Sequence, residues 1–466
     1  MFPGETFVRG SGRAYVTYIL IVVNTIIYLL TSYSNFFLQI SQKYLWEYSF
    51  VPVYLTDLNG WLRIFTSMFL HGYPLHIIFN MYFLYVFGKA VESYMGSVKY
   101  LILYLFSGFI ASLTHSAMIF FMGLENLGIP ALGASGAISG VVGSFLILFP
   151  GVRMSVCFFF FIIPLCGIIS STFFILSWFA LQVIYGYLQL GGVAFFAHIG
   201  GFLAGILATV FLARRVREDI FPNVLYQSIS FMYNHIPWFT YPRRTLGNMA
   251  RFILITLTII VAIGEIISIY GAITSNYDAY YFTVKADLVK GSSISRILTT
   301  TSSEAVAVVL RGQESSNYII APIVDETIRV LFNRLFYAGY IINYSLRNYE
   351  GSLTFSGLIS IPGLKAPPVQ LILLINTSYD NYGVLIKGEG SAVTDLLLCS
   401  GGVCEVGDKW FYNHFVIRGN GPVNILSILY IPSIVSVIVT FTVLIILIMK
   451  IDSRISAIYY NYDYLP

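Results

Sequence analysis

Eight long, apolar and nearly uncharged stretches run through this 466-residue chain, and they constrain its fold more than any other feature. A helix that crosses a lipid bilayer needs about 20 mostly apolar residues. Only 10% of the residues are charged, against about 25% in soluble domains, so a multi-span membrane protein is predicted. The predicted spans are residues 14–31, 76–93, 98–122, 135–149, 169–188, 194–213, 252–273 and 428–449.

Charge and motif content argue against several classes of function. The net charge of +4 is too small to indicate binding to nucleic acid. The sequence has no paired Cys-x-x-Cys spacing, no His-Glu-x-x-His and no glycine-rich phosphate or dinucleotide motif. Neither a metal site nor a cofactor is therefore predicted. Cys399 and Cys404 lie close together outside the predicted spans, where a disulfide between them is a reasonable expectation.

The basic residues predict how the chain is oriented in the membrane. Lys and Arg collect in cytoplasmic loops, so Arg9 and Arg13 predict a cytoplasmic N-terminus. Alternation of the spans then places the arginine-rich run 214–217 and Lys450 on the same side. We therefore expect both termini in the cytoplasm and residues 274–427 outside. With no visible transit peptide, the cell membrane is the expected location.

Residues 274–427 differ in character from the apolar spans on either side. They contain apolar runs of strand length, and an amphipathic helix is predicted over residues 325–338, with Gly339 as its stop. The predicted strands lie at residues 305–310, 352–361, 369–375 and 383–387.

The predicted fold class is an all-α polytopic membrane protein. It consists of a six-helix core and two further transmembrane helices that flank a mostly β soluble domain. The predicted division is a core at residues 1–215, a cytoplasmic linker at 216–251, a seventh helix at 252–273, a β domain at 274–427, an eighth helix at 428–449 and a cytoplasmic tail at 450–466.

Polar side chains in three of the spans form a candidate catalytic site. His198 shares one helix face with Gly201 and Gly205, and such a face lets another helix approach closely. The fourth span begins at Ser135 and carries a stripe of small residues that includes Gly136. Packing of these two faces would bring a hydroxyl beside an imidazole, which is the minimum for nucleophilic catalysis. The pair would be a dyad, since neither helix contains an acidic residue.

The second span supplies hydrogen-bond donors at the same predicted depth. His76 and Asn80 are four residues apart and therefore share a face, so they are candidates for stabilising an oxyanion together with the Ser135 N–H. Each signal alone fits simple helix packing or an interhelical hydrogen bond. Three of them on three spans, all at the outer end, favour a site. His71 and His115 are interpreted as structural.

These residues resemble the rhomboid intramembrane serine proteases over residues 14–215. The match rests on residues 65–71 leading to His76-x-x-x-Asn80, on Gly133-Ala134-Ser135-Gly136, and on Ala197-His198-x-x-Gly201-x-x-x-Gly205. The resemblance implies that Ser135 is the nucleophile and His198 the general base and acid. It also implies an oxyanion hole formed by His76, Asn80 and the Ser135 N–H. Ser139 stands where many members carry an aromatic residue that stacks on the histidine.

We therefore expect a serine endopeptidase that cleaves single-pass membrane proteins near the outer membrane face, through an acyl-enzyme. Its partners would be those substrates and the lipid bilayer, and the β domain would recruit substrate or restrict access. One alternative is a non-catalytic rhomboid-like protein that binds transmembrane helices. Another alternative is a transporter or channel, which would require charged residues or broken helices at the midplane of the bilayer. Oligomeric state and substrate identity stay open.

Overall fold

The computed structural model describes residues 2–6, 14–160, 163–190, 192–213, 245–274, 277–291, 298–312, 318–321, 323, 325–360, 366–400 and 403–454. Several predictions fall on residues outside these ranges. They are the basic residues Arg9 and Arg13, the run 214–217, most of the linker and the tail from residue 455.

Seven described helices are long and apolar enough to cross a membrane, and an eighth apolar helix is shorter. The protein is therefore a multi-pass membrane protein with a mostly helical membrane region, as the sequence predicts. In chain order the helices are α1 (Tyr15–Ser32), α2 (Gln42–Tyr48), α3 (Leu58–Ser67), α4 (Pro74–Met95), α5 (Ser97–Ala117), α6 (Ile119–Met122), α7 (Ser135–Leu148), α8 (Ser171–Leu188), α9 (Phe195–Leu212), α10 (Asn248–Thr274), α11 (Glu326–Tyr337) and α12 (Ile425–Ile448).

Two details of the membrane region differ from the prediction. The third span ends at Ala117, because Met118 leaves the helical conformation and the next turn forms the separate helix α6. The apolar run at residues 155–163, which lies between the fourth and fifth predicted spans, belongs largely to two paired antiparallel strands. These strands are β2 (Arg153–Phe160) and β3 (Ile163–Ser170), and β1 (Phe2–Thr6) pairs with β2. A continuous apolar run has no period that distinguishes a strand from a helix segment.

The helix α9 packs directly on α7 through glycine. A methyl group at Gly201 would lie 2.0 Å from the carbonyl oxygen of Gly136, and one at Gly205 would lie 1.9 Å from that of Gly140. Only glycine leaves room for such an approach of two helix backbones. This contact fixes the relative position of the ends of α7 and α9, where the candidate catalytic residues lie.

The C-terminal region contains a seven-stranded antiparallel sheet with the strand order β6-β5-β4-β10-β9-β8-β7. The helix α11 begins after Asp325, whose side chain accepts a hydrogen bond from the Ile328 N–H at 2.9 Å, and buries Leu331 and Phe332 in the domain core. The strands are β4 (Tyr277–Gly291), β5 (Leu298–Gly312), β6 (Tyr318–Ile320), β7 (Glu350–Ile359), β8 (Val369–Tyr379), β9 (Leu385–Ser400) and β10 (Val403–Asn424).

The sheet confirms the β-rich character of this region and extends the prediction. A disulfide joins Cys399 of β9 to Cys404 of β10. The long strands β4 and β10 were not predicted. The register of β10 shifts between Tyr412 and His414 and again between Asn420 and Val423. Such bulges interrupt the two-residue alternation by which a strand is recognised in sequence.

The β domain packs on the loops at one end of the membrane region. Leu127, in the loop between α6 and α7, is fully buried in the same apolar cluster as Val306 and Val308 of β5. The hydroxyl of Tyr54, between α2 and α3, lies 3.2 Å from the hydroxyl of Thr283 of β4. The loop that leads into Ser135 is thus held between the membrane helices and the sheet.

Candidate catalytic site

Ser135 and His198 are hydrogen-bonded to each other. The Oγ of Ser135 lies 2.8 Å from the Nε2 of His198. Ser135 is the first residue of α7, so its N–H has no acceptor within the helix, and His198 lies in the first turn of α9. The glycine contact between the two helices holds these ends together.

The second nitrogen of His198 has a partner that the sequence interpretation missed. The Nδ1 of His198 lies 2.8 Å from the Oε1 of Gln182 on α8. The Trp178 ring, one turn earlier on α8, lies beside the imidazole with ring centroids 6.3 Å apart and planes inclined by 30°. Gln182 is an amide in an apolar span, and polar groups at membrane depth are usually functional. That rule could have singled it out.

His76 and Asn80 face the chain just before Ser135. The Nδ1 of His76 accepts a hydrogen bond from the Gly72 N–H at 3.4 Å, so in the neutral imidazole the proton is on Nε2. A methyl group at Gly133 would lie 2.7 Å from that Nε2, and Gly133 has φ +126°, so only glycine fits. The buried Nδ2 of Asn80 has no hydrogen-bond partner among the described residues. The Nε2–H of His76 and the Nδ2 of Asn80 therefore both face the chain that leads into Ser135.

A cavity of about 620 Å³ joins these groups. Ser135, His198, His76 and Asn80 all line it, and the lining residues that the structure describes include no Asp, Glu, Lys or Arg. His115, interpreted from the sequence as structural, also lines the cavity, and its buried Nδ1 has no partner among the described residues. The remaining walls include residues from three other places in the chain: Gly72 and Tyr73 just before α4, Met122 at the end of α6 with Asn126 in the loop after it, and Gln189 after α8 with Phe195 at the start of α9.

The arrangement has the parts that acyl transfer requires. It holds a hydroxyl, an imidazole within hydrogen-bond distance of it, and the donors of His76 and Asn80 beside the chain that leads into that hydroxyl. No three His, Cys, Asp or Glu side chains lie close enough to hold a metal ion within the ranges that the structure describes. The catalytic roles of Ser135, His198, His76 and Asn80 stay predictions.

Comparison with known proteins places residues 58–215 in the family described as "Rhomboid domain". RHOMBOID-like protein 6, mitochondrial, of Arabidopsis thaliana is 32% identical over 143 residues, which are 31% of this chain and 41% of that protein. Rhomboid protein 1, mitochondrial, of Saccharomyces cerevisiae is 30% identical over 161 residues, or 34% of this chain and 44% of that protein. RHOMBOID-like protein 1 of Arabidopsis thaliana is 32% identical over 153 residues, which are 33% of this chain and 35% of that protein. The chain thus spans less than half the length of each of these relatives.

Proposed function

Since the chain belongs to the rhomboid family through its rhomboid domain, we propose that it is an intramembrane serine endopeptidase. The observation that carries the proposal is the 2.8 Å hydrogen bond between Ser135 and His198 inside the cavity. A hydroxyl becomes an effective nucleophile at neutral pH when a positioned base removes its proton. Both residues lie at positions that match the family's motifs.

The proposed reaction begins when the Ser135 Oγ attacks the carbonyl carbon of the substrate. The hydroxyl proton passes to the Nε2 of His198, and the resulting imidazolium then gives it to the leaving amine. The carbonyl oxygen, now negative, accepts hydrogen bonds from the Nε2–H of His76, the Nδ2 of Asn80 and the Ser135 N–H. Water hydrolyses the acyl-enzyme by the same proton route, and Ser135 is restored.

The proposed substrates are single-pass transmembrane proteins. The cavity lies at the ends of α4, α7 and α9 and beside the loop that packs on β5, so cleavage would occur on the side of the membrane that carries the β domain. A regular substrate helix hides its carbonyl groups in hydrogen bonds, so it would unwind locally to enter the cavity. We expect this side to be the outer face, with both termini in the cytoplasm.

The membrane itself is a further part of the proposal. We propose the cell membrane, whereas the names of two relatives state "mitochondrial". A fluorescent fusion distinguishes the two membranes. Protease protection of intact cells or organelles, with an antibody to the β domain, tests whether that domain lies outside.

Cleavage of a panel of single-pass substrates by the purified chain in lipid tests the proposed activity. We expect cleavage by the wild type and none by Ser135→Ala or His198→Ala, with both variants folded. Persistent cleavage by Ser135→Ala would contradict the mechanism. A wild type that binds the substrates in the bilayer without cutting any would instead support the alternative of a non-catalytic rhomboid-like protein.

A further inference from the structure

We propose that Gln182 is the positioning residue of a Ser135–His198–Gln182 triad, in which a neutral amide takes the place of the usual carboxylate. This inference rests on the proposed protease function. It goes beyond the dyad expected from the sequence, because the third group comes from α8, a helix that contributes nothing to the predicted site. Three observations carry it: the contact with Nδ1, the orientation of the amide and the packing of Trp178.

The contact of Gln182 selects one tautomer of the neutral imidazole. A neutral imidazole has one N–H donor and one nitrogen lone pair. The Oε1 of Gln182, 2.8 Å from Nδ1, can only accept a hydrogen bond, so Nδ1 carries the proton. Nε2 then presents its lone pair to the Ser135 hydroxyl at 2.8 Å, as a general base must.

A second hydrogen bond fixes which end of the amide faces the histidine. The Nε2 of Gln182 donates to the backbone carbonyl oxygen of Trp178 at 3.4 Å. If the amide were turned over, its nitrogen would face Nδ1 and its oxygen would face a carbonyl oxygen. That arrangement would repel the carbonyl and would demand the opposite, catalytically wrong, tautomer. The two bonds therefore agree on one orientation.

An amide suits the burial of this position better than an acid does. Gln182 is only 8% exposed, and the cavity lining has no Asp, Glu, Lys or Arg among the residues that the structure describes. A carboxylate there would stand unpaired whenever His198 is neutral, and an unpaired buried charge is costly. During the reaction the proton on Nδ1 stays in place while Nε2 gains the proton of Ser135. The amide oxygen then accepts a charge-assisted hydrogen bond from the imidazolium.

Trp178 and Gln182 act on His198 from one face of α8, because they are one helical turn apart. Trp178 lies beside the imidazole ring, and Gln182 contacts its edge. Ser139, at the position where many family members carry the stacking aromatic, instead donates a hydrogen bond to the Ser135 carbonyl at 2.7 Å. In this protein α8 therefore provides the support of the histidine that α7 lacks.

The test compares Gln182→Met and Gln182→Glu with the wild type in lipid. Methionine keeps the length of the side chain and removes the hydrogen bond. Since a hydrogen bond to a charged group is stronger than one between neutral groups, we expect kcat to fall by about 10- to 100-fold, with KM unchanged. Gln182→Glu should recover most of kcat. Its carboxylate favours the protonated imidazole, so the acidic limb of its rate profile should move to higher pH.

Gln42→Met is the matched control, because Gln42 lies on α2, outside the cavity. It should leave kcat and the pH profile unchanged. A Gln182→Met variant with wild-type kcat and pH profile would overturn the inference. The inference would also be overturned if Gln182→Met and Gln182→Glu were both folded and both inactive, since a purely structural role of Gln182 predicts that result.

A readout that needs no cleavage separates this inference from the proposed function. Nitrogen-15 NMR of labelled histidines, with His198 assigned by comparison with His198→Ala, reports which ring nitrogen carries the proton. We expect the proton on Nδ1 in the wild type and a mixture of tautomers in Gln182→Met. A proton on Nε2 in the wild type would refute the triad even if the protein cleaves. A proton on Nδ1 in a protein that cleaves nothing would support the hydrogen-bonded arrangement and refute only the protease.

Discussion

The glycine contact between α7 and α9 predicts that a single added methyl group at Gly201 separates Ser135 from His198. The Cβ of Gly201→Ala would lie 2.0 Å from the Gly136 carbonyl oxygen, whereas an ordinary contact begins at 3.4 Å. The obstacle is the backbone of Gly136, so no side chain can move away to make room. The helix α9 must therefore retreat from α7 by about 1.4 Å, the difference between these two distances.

This displacement acts directly on the distance between the Oγ of Ser135 and the Nε2 of His198. If it is transmitted to His198, the 2.8 Å separation from Ser135 grows to about 4 Å, beyond the range of a hydrogen bond. A misplacement of 1 Å in a catalytic site can cost about 100-fold in rate. We therefore expect Gly201→Ala to lower kcat by about 100-fold, measured on a transmembrane substrate in lipid. Its reaction with a fluorophosphonate, which needs only the activated serine, should fall in parallel.

Gly247→Ala is the matched control. It makes the same chemical change just before α10, where a methyl group meets no atom within 4 Å, and should leave the rate unchanged. The melting temperature of each variant is measured alongside the rate. A folded Gly201→Ala protein with wild-type kcat would refute the argument that the glycine contact sets the Ser135–His198 distance.

Three further predictions follow from individual contacts. Asn80→Ala removes a free donor beside Ser135 and should lower kcat by about 100- to 1,000-fold with little change in KM, measured by steady-state kinetics; an unchanged kcat would exclude Asn80 from the oxyanion hole. Arg251→Met removes the guanidinium that lies 2.9 Å from the buried Asp452 carboxylate, and it should destabilise the protein by about 3–5 kcal/mol in thermal unfolding. Adding Asp452→Leu removes the unpaired charge and should recover most of this loss. Gly128→Val places methyl groups against Val308 of β5, so it should lower the free energy of unfolding by about 1–3 kcal/mol and also reduce kcat. Wild-type stability in thermal unfolding and wild-type kcat would show that the loop tolerates the change.

The sequence predicts the membrane spans and the Ser135–His198 pair for physical reasons that need no tertiary information. A bilayer demands an uninterrupted apolar run, so hydropathy alone locates helices such as α10. Glycine on one helix face implies a close neighbour, and the two glycine-faced helices do pack on each other. The spacing His76-x-x-x-Asn80 places both side chains on one face of α4, and both line the cavity.

Other parts of the molecule depend on contacts that no local pattern encodes. Gln182 lies sixteen residues before His198 on another span, and only the packing of α8 against α9 brings the two together. The strand β10 escapes a pattern search because its register shifts twice. The contact between β5 and the loop before α7 joins Val308 to Gly128 across 180 residues of sequence. Long-range pairing of this kind cannot be predicted from periodicity.

The contact of the β domain with the loop before Ser135 bears on how the role of that domain can be tested. In this loop Gly128 packs on Val308, and Ala131 pairs with Phe50. Gly133, which is two residues before Ser135, lies against His76. Deleting the whole domain would therefore remove any substrate-recruiting surface and also the packing of this loop. Gly128→Val disturbs the loop and leaves the remote strands β7 to β9 intact. If Gly128→Val reduces the cleavage of every substrate equally, the domain supports the cavity itself. If changes in β7 to β9 reduce the cleavage of some substrates and not of others, the domain selects among substrates.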